Sequence, residues 1–306
     1  MKGTTSVLDW IPRGARIAVV RLRSMGDCVL TTPAIEILKG ARPDLTIGVV
    51  VEDRFAAIFE GNPAISAILG PSYSAIFAWR PALCLNFHGG TRSMLLSLAS
   101  RAPVRAGFGH HRGAALYNVR IPRAQEILGV ERTVHTAEHL ASAMFHLGCP
   151  LQEIPRARLF AEPPPDAARY AVLHPSAALP YKTWQAEGFL KVADYIQRTY
   201  SIDPVFIGGP ADDMMPFHKY RSIVGAPLGQ IKSLLAAASL FVGNDSGPAH
   251  IAAAFDVPLV VLFARLDHQL VWAPWRASAS RTLASPQGIS GIRTADVIAA
   301  VAQLQS

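Results

Sequence analysis

One stretch of the sequence combines a polar turn with residues that suit anion binding. Residues 239–262 contain an apolar run, a polar turn, a small-residue helix and a second apolar run, which is typical of a βαβ unit with parallel strands. The turn holds Asp245, Ser246 and Gly247, and Pro248 is tolerated in the first helical turn. Backbone amides at such a helix start bind phosphate groups. The alternative is that Asp245 or Ser246 only caps a buried helix.

A second candidate follows the first predicted strand, residues 16–22. The string Ser24-Met25-Gly26-Asp27 permits a tight strand-to-helix turn, with Asp27 at the edge of the sheet. Asp27 is therefore a candidate general base, and its alternative role is that of a helix cap. The dinucleotide fingerprint G-x-G-x-x-G occurs neither here nor elsewhere in the chain.

Two further loops follow predicted strands in the second half of the chain. Lys182, after the predicted strand 171–174, is either a phosphate-binding cation or a solvated surface lysine. The glycines of Gly208-Gly209 let the backbone approach a ligand, and Asp212 or Asp213 could accept hydrogen bonds from ribose hydroxyls. A simple turn followed by a helix cap explains the same residues equally well.

The elements that position these loops are strands alternating with helices. This alternation predicts an α/β fold with parallel sheets. A proline-rich connection near residues 148–165 divides the 306-residue chain, so we expect Rossmann-like domains over residues 1–160 and 161–292. Ligands bind at the carboxyl ends of such strands. We therefore expect the two domains to face each other across a cleft.

The amino-acid composition and the net charge exclude some classes of protein and favour anionic binding partners. Half of the residues are hydrophobic and 17% are charged, which excludes a disordered chain, and the apolar runs are too short to span a membrane. No signal-peptide pattern begins the sequence, and three scattered cysteines suit a reducing cytosol. The net charge is +7, and residues 1–150 carry 16 Lys and Arg against 10 Asp and Glu. This suits a phosphorylated substrate or an anionic membrane; no motif favours nucleic acid.

Two apparent motifs are interpreted structurally. His135-Thr136-Ala137-Glu138-His139 matches the zinc-protease string H-x-x-E-H, but no downstream acidic ligand helix is evident. Cys28, beside Asp27, is interpreted as a small core residue rather than a nucleophile. No D-x-D string provides a carboxylate site for Mg²⁺, and we expect no metal site.

Together, these motifs resemble glycosyltransferase family 9, the lipopolysaccharide heptosyltransferases. The resemblance covers about residues 16–264 and depends on the Asp27 string, His174-Pro175 with Lys182 and Trp184, the Gly208-Gly209 turn, and Asp245-Ser246-Gly247-Pro248-Ala249-His250. It implies a GT-B architecture, with the C-terminal helix, residues 293–306, packing back on the first domain. It also implies a metal-independent, inverting transfer of a heptose from an ADP-activated donor, with no cofactor beyond this nucleotide sugar.

The resemblance also implies roles for individual residues. Asp27 would deprotonate the acceptor hydroxyl. The donor diphosphate would contact Lys182, Ser246, Gly247, His250 and Ser176. The nucleotide and its ribose would contact Asp212, Asp213, Gly209 and Asp245.

The acceptor would be an anionic Kdo-lipid A or core glycolipid. We select Arg101, Arg105 and Arg112 to bind it in the basic first domain, although a solvated loop explains these arginines equally well. The protein would then be cytoplasmic and peripheral to the inner membrane. Its oligomeric state is not predicted.

One segment departs from the family pattern. Residues 264–268 replace the usual Gly-Pro-Thr-type turn and include Arg265 and His268, so another nucleotide sugar is an open alternative. Two other functions also stay open. One is a nucleotide-sugar epimerase or hydrolase of the same architecture, and the other is a non-enzymatic nucleotide-sugar-binding protein.

Overall fold

A computed structural model describes residues 6–111, 113–162 and 169–305. The chain separates into two compact units, Met1–Phe160 and Ala161–Ser306. Each unit contains a six-stranded sheet in which every strand pair is parallel. The predicted α/β class with two Rossmann-like sheets is confirmed.

The sheet of the first unit has its longest strands at its centre. Its strands are β1 (Arg16–Val20), β2 (Thr46–Val50), β3 (Ala67–Leu69), β4 (Leu83–Asn86), β5 (Val104–Phe108) and β6 (Val119–Ile121). They lie in the order β3-β2-β1-β4-β5-β6. The order reverses between β1 and β4, so the loops after these two strands diverge and leave a crevice at the carboxyl edge.

Helices cover this sheet because its central strands are apolar on both faces. The helices are α1 (Met25–Ala41), α2 (Asp53–Ala56), α3 (Tyr73–Trp79), α4 (Thr91–Ala99), α5 (Ala124–Leu128) and α6 (Thr136–Leu147). Helix α1 packs against α6. On α3 and α4, Ile76 and Leu96 are buried in one cluster with Ala18 and Val20 of β1.

The second unit has a sheet of the same kind. Its strands are β7 (Tyr170–His174), β8 (Asp203–Gly208), β9 (Arg221–Val224), β10 (Leu240–Asn244), β11 (Leu259–Phe263) and β12 (Ser280–Ala284). They lie in the order β12-β11-β10-β7-β8-β9, and the order reverses between β7 and β10. The crevice of this unit therefore opens beyond His174 and Asn244.

The last helix of the chain belongs to the second unit. The helices of this unit are α7 (Ala186–Tyr200), α8 (Leu228–Ala236), α9 (Gly247–Ala254), α10 (Leu266–Trp272) and α11 (Thr294–Gln305). We expected residues 293–306 to pack back on the first unit. Helix α11 packs on α7, β11 and β12, because its apolar residues Val297 and Val301 are fully buried in the core of the second unit. Packing of this helix on the first unit stays a prediction.

Among the described residues, no helix is both long enough and apolar enough to cross a bilayer.

Candidate active site

Asp27 lies beyond the carboxyl end of β1, in the first turn of α1. Its Oδ2 accepts hydrogen bonds from the hydroxyl and the amide of Ser24, at 3.1 and 3.4 Å. Its Oδ1 lies 3.5 Å from Nη1 of Arg21, and 24% of the side chain is exposed. The carboxylate is therefore oriented by its neighbours and still accessible to a substrate hydroxyl.

Arg21 is a buried cation directly behind Asp27. Only 6% of its side chain is exposed, and its Nε has no hydrogen-bond partner in the described part of the chain. Burial lowers the pKa of Arg21, and the negative charge of Asp27 opposes this shift. A buried, incompletely bonded guanidinium is costly, which indicates a functional position. The sequence gives no functional signal for Arg21, because this residue directly continues an apolar strand.

Three histidines lie near the same edge of the sheet. His88 follows β4, His111 follows β5, and His139 lies in α6, where its ring stacks on Phe108 with 4.1 Å between the ring centroids. Burial, reinforced by nearby positive groups, lowers the pKa of His111 and His139 to about 4. Burial likewise lowers the pKa of His88. All three imidazoles are therefore neutral at pH 7 and can accept or donate hydrogen bonds.

His135, from the H-x-x-E-H string, and Cys28 both occupy structural positions. His135 is the N-cap of α6, and its Nδ1 accepts a hydrogen bond from the amide of Ala137 at 3.1 Å. Cys28 is fully buried, and burial raises the pKa of its thiol to about 12. A thiol with such a high pKa is a poor nucleophile.

Asn86 fixes the loop that follows β4. Its side chain is fully buried, and its Nδ2 donates to the hydroxyl of Tyr117 at 2.7 Å and to that of Ser93 at 3.1 Å. Its Oδ1 accepts from the amide of His88 at 2.9 Å. The side-chain amide of Asn86 therefore fixes the backbone of the loop that carries His88.

A shallow, open pocket of about 440 Å³ lies beyond the carboxyl ends of β2 and β3. It is lined by Glu52, Asp53, Gly70, Pro71, Ser72 and Arg92. Carboxylates and an arginine in one pocket can bind sugar hydroxyls and anionic groups. Sequence reasoning missed this pocket, since its residues come from three separate loops.

In the second unit, Lys182 and Asp245 form an ion pair. Nζ of Lys182, in the loop after β7, lies 2.8 Å from Oδ2 of Asp245, after β10. Their side chains are 19% and 9% exposed. Since β7 and β10 are neighbours at the point of reversal, the fold brings these two predicted residues together.

Ser246 connects β10 to the start of α9. It is the N-cap residue of this helix, and Gly247 is the first helical residue. Its hydroxyl donates to the carbonyl of Asn244 at 3.0 Å and lies 2.9 Å from Nδ1 of His174. Burial lowers the pKa of His174 to about 4, although the charge of Asp212 opposes this. His174 is thus a neutral partner that orients Ser246.

His250 is buried within α9. Its ring contacts that of Trp272 edge-on, with 6.2 Å between the centroids.

Asn244 performs in the second unit the task that Asn86 performs in the first. It is fully buried; its Oδ1 accepts from the amide of Trp184 at 3.1 Å, and its Nδ2 donates to the carbonyl of Pro175 at 2.7 Å. Both partners belong to the loop that carries Lys182. The side chain of Asn244 therefore fixes this loop beside Asp245.

The side chain of Asp212 caps the Gly208-Gly209 turn after β8 through a hydrogen bond. Oδ2 of Asp212 accepts from the amide of Gly209 at 2.7 Å, and Oδ1 of the exposed Asp213 accepts from the amide of Met215 at 3.0 Å. Each carboxylate keeps a second oxygen that can bind a ligand. Ser176 is half-buried in the neighbouring loop after β7.

The arginines selected for the acceptor are not brought to the edge of the sheet that carries Asp27. Arg101 lies between α4 and β5, and Arg105 is the second residue of β5. Both positions are at the amino ends of the strands, opposite the edge that carries Asp27. Nη1 of Arg105 donates to the carbonyl of Ala102 at 2.9 Å. Arg112 lies outside the described residues.

Residues 264–268, which depart from the family pattern, include the start of helix α10. Arg265 is the N-cap residue of α10 and pairs with Asp267 through two hydrogen bonds, at 2.9 and 2.6 Å. Both side chains are exposed. His268, in the first turn of α10, is partly buried.

No group of three or more histidine, cysteine, aspartate or glutamate side chains is placed to hold a metal ion within residues 6–111, 113–162 and 169–305.

Comparisons with known proteins identify the family and the fold of the chain. Residues 82–289 match the family model described as glycosyltransferase family 9 (heptosyltransferase). The chain is 29% identical to lipopolysaccharide heptosyltransferase 3 of Escherichia coli strain K12 over 293 residues, which cover 83% of each chain.

Two solved structures show the same fold. The glycosyl transferase family 9 protein of Veillonella parvula has a TM-score of 0.82 and 23% identity, with 95% of this chain and 97% of that one covered. The E. coli heptosyltransferase WaaC with ADP-2-deoxy-2-fluoro heptose has a TM-score of 0.77 and 19% identity, with 94% and 99% covered. The predicted GT-B type of α/β fold is thereby confirmed.

Proposed function

Because the chain belongs to glycosyltransferase family 9, the heptosyltransferase family, we propose that it transfers a heptose from an ADP-activated donor to a lipopolysaccharide core acceptor. One observation in the structure carries the proposal. The ion pair of Lys182 with Asp245, 2.8 Å long, lies beside the first turn of α9 at the crevice of the second sheet. A cation and helix amides in one crevice are what a leaving diphosphate requires.

The second unit binds the donor in this proposal. Lys182 and the amides at Ser246 and Gly247 contact the diphosphate, and Ser176 and His250 contribute to the same donor site. Gly209 lets the backbone approach the nucleotide, and Asp212 or Asp213 accepts hydrogen bonds from the ribose. Asp245 orients Lys182 toward the phosphates. WaaC, with the same fold, was solved with an ADP-heptose analogue, which supports ADP as the nucleotide.

The first unit binds the acceptor. Asp27 is the base, and Ser24 and Arg21 orient it. The pocket beside Glu52 and Arg92, at the same edge of the sheet, replaces the cluster of Arg101 and Arg105 as the proposed acceptor site. Sugar hydroxyls bind to the carboxylates of this pocket, and anionic groups of the acceptor bind to its arginine.

The reaction is a single displacement. The acceptor hydroxyl attacks the anomeric carbon of the heptose and transfers its proton to Asp27. The bond between this carbon and the diphosphate oxygen breaks, and the diphosphate leaves with the electron pair. Attack on the face opposite the leaving group inverts the anomeric configuration. Lys182 and the helix amides supply the positive charge that the diphosphate needs, so the transfer requires no bound metal.

The acceptor determines where the enzyme works. A lipopolysaccharide core precursor is a membrane-anchored anionic lipid, and the donor is a water-soluble nucleotide sugar. We therefore infer a cytoplasmic protein that is peripheral to the inner membrane. The net charge of +7 supports attraction to such a surface.

A nucleotide panel tests the donor. The thermal unfolding midpoint should rise with ADP and change less with UDP, GDP or CMP, because ligands that bind only the folded state stabilise it. A larger shift with UDP or GDP would overturn the choice of ADP and point to Arg265 and His268 as selectors of another donor.

A transfer assay tests the chemistry. Incubation with ADP-heptose and a core acceptor should yield a heptosylated product of inverted configuration by NMR, at the same rate with and without EDTA. Retention of configuration would overturn the single displacement. Hydrolysis or epimerisation of the donor without transfer would favour the epimerase or hydrolase alternative instead.

A further inference from the structure

Helices α3 and α4 present an apolar surface to solvent in the first unit. Their inward residues Ile76 and Leu96 are buried in the core. On the outer side, four large apolar side chains are exposed by 36–52%: Tyr73, Phe77, Leu95 and Leu98. We name these four residues the α3–α4 face. Exposed apolar side chains that cluster on one surface mark an interaction site.

Contacts at both ends of the two helices show that the face is continuous. At one end, Nη2 of Arg92 in α4 donates to the carbonyl of Pro71, two residues before α3, at 3.2 Å. At the other end, the guanidinium of Arg101 lies 5.3 Å from the centroid of the Phe77 ring. The helices therefore lie side by side and run in the same direction. Since Tyr73 and Phe77 are one helical turn apart, as are Leu95 and Leu98, all four share one surface.

Arginines dominate the charge around this face, and one of them, Arg92, lies 3.9 Å from the carboxylate of Glu52. Residues 61–125 contain seven arginines and no aspartate or glutamate. Three of these arginines border the face: Arg80 follows α3, Arg92 is in the first turn of α4, and Arg101 follows α4. All three are exposed. Aromatic and aliphatic anchors bordered by arginines are typical of surfaces that bind anionic membranes.

A second copy of the chain does not suit this surface. A symmetric dimer places the same face of two copies together, so the bordering arginines would meet each other without an acidic partner in residues 61–125. A lipid surface, in contrast, supplies phosphates to the arginines and acyl chains to the apolar residues.

We propose that the α3–α4 face docks the enzyme on an anionic lipid bilayer. Tyr73, Phe77, Leu95 and Leu98 enter the boundary between headgroups and acyl chains, and Arg80 and Arg101 bind lipid phosphates. The proposal rests on the proposed function in one respect, namely that the acceptor is carried by a lipid. Arg92 also lines the pocket beside Glu52, so docking brings the bilayer to the proposed acceptor site.

Flotation of the full chain with vesicles tests this proposal. The protein should bind phosphatidylglycerol-containing vesicles, bind phosphatidylcholine vesicles weakly, and dissociate in high salt because salt screens the arginines. The double variant Phe77→Ser and Leu95→Ser should lose at least tenfold in vesicle affinity. The double variant Arg80→Gln and Arg101→Gln should lose the preference for anionic lipid.

Matched controls keep the test specific. Leu151→Ser and Met215→Ser remove apolar side chains that are 75% and 74% exposed but lie outside the face, and they should bind vesicles like the wild type. ADP binding should be unchanged in every variant. A chain that binds anionic vesicles but not ADP would overturn the donor assignment and leave the docking surface intact.

Three results would overturn the proposal. The first is a wild-type chain that ignores anionic vesicles. The second is a Phe77 and Leu95 double variant that binds vesicles as tightly as the wild type does. The third is a variant that changes only the oligomeric state in sedimentation, which would make the face an interface between copies.

Discussion

The two units share one strand order but equip their crevices differently. Each crevice lies where the order reverses, and each is fixed by a fully buried asparagine at the end of one strand, Asn86 or Asn244. Asn86 binds the backbone of its own loop and the hydroxyls of Ser93 and Tyr117, whereas Asn244 binds the backbone of the loop after the neighbouring strand β7. In the second unit the asparagine therefore couples two loops and positions a cation from one beside a carboxylate from the other.

The two crevices also carry different charged side chains. The first unit places an accessible carboxylate, Asp27, in front of a buried cation and near neutral imidazoles. The second unit places a partly exposed cation, Lys182, beside a helix start. The first arrangement suits accepting a proton, and the second suits holding an anion. The same strand order can thus be equipped for two chemical tasks by the residues that follow the central strands.

The sharpest test of this division is Asp27→Asn. The amide keeps the size of the side chain but cannot accept the acceptor's proton, so the transfer rate should fall by about a thousandfold. ADP affinity should be unchanged, because Asp27 belongs to the first unit. Steady-state kinetics and calorimetry measure the two effects. Asp296→Asn, in an exposed ion pair on α11, is the matched control and should behave like the wild type.

Lys182→Ala should have the next largest effect. Without the cation, the leaving diphosphate loses charge stabilisation, and kcat should fall by about a hundredfold. Lys182→Arg should recover part of this rate, and Lys191→Ala, an exposed lysine on α7, should retain all of it. Wild-type turnover by Lys182→Ala would show that the cation of the second crevice plays no part in the reaction.

Asn244→Ala should destabilise the second unit. The buried amide of Trp184 and the carbonyl of Pro175 would lose their partners, which costs about 2–3 kcal/mol in the free energy of unfolding. Asn86→Ala should cost a similar amount in the first unit, but should not change ADP affinity. Urea unfolding and ADP titration of both variants separate the two roles. If Asn244→Ala and Asn86→Ala lost ADP affinity equally, the result would contradict the proposal that only Asn244 positions residues of the donor site.

Acid should weaken both units through their buried and half-buried histidines. The pKa of His111, His139 and His174 is about 4 in the folded chain, below the value of about 6.5 for an unfolded chain. The unfolded chain thus binds more protons between these values, so stability is full above pH 6.5 and is lost as the pH falls toward 4. For the buried His174 the loss is at most about 3 kcal/mol. His174→Asn should therefore unfold with a weaker dependence on pH in urea titrations at pH 7 and 5.

The smallest effect is expected from Arg105→Gln. Arg105 lies at the amino ends of the strands, away from Asp27, so kcat/KM with a soluble acceptor should change by less than about twofold. A tenfold rise in the acceptor KM would return the acceptor site to the basic cluster first selected from the sequence.

Much of the fold is readable from the sequence because central strands of parallel sheets are continuous apolar runs. Strands β1, β2, β4, β5, β7, β8, β10 and β11 all follow such runs. Strands β3, β6 and β12 are at the edges of the sheets, where half-exposed strands lack that signal. Residues 214–220 form only a short 3-10 turn at Met215–Phe217, since Pro216 and the polar residues after Phe217 give no helical repeat.

The candidate site also has a part that the sequence predicts and a part that it does not. The sequence by itself determined the residues that directly follow central strands, Asp27, Lys182 and Ser246 among them, because strand ends and glycine turns have local signals. Only the tertiary structure decided which of them meet. The pairing of Lys182 with Asp245, the burial of Arg21 behind Asp27 and the opposite placement of Arg105 depend on strand order, and strand order arises from contacts between residues far apart in the chain.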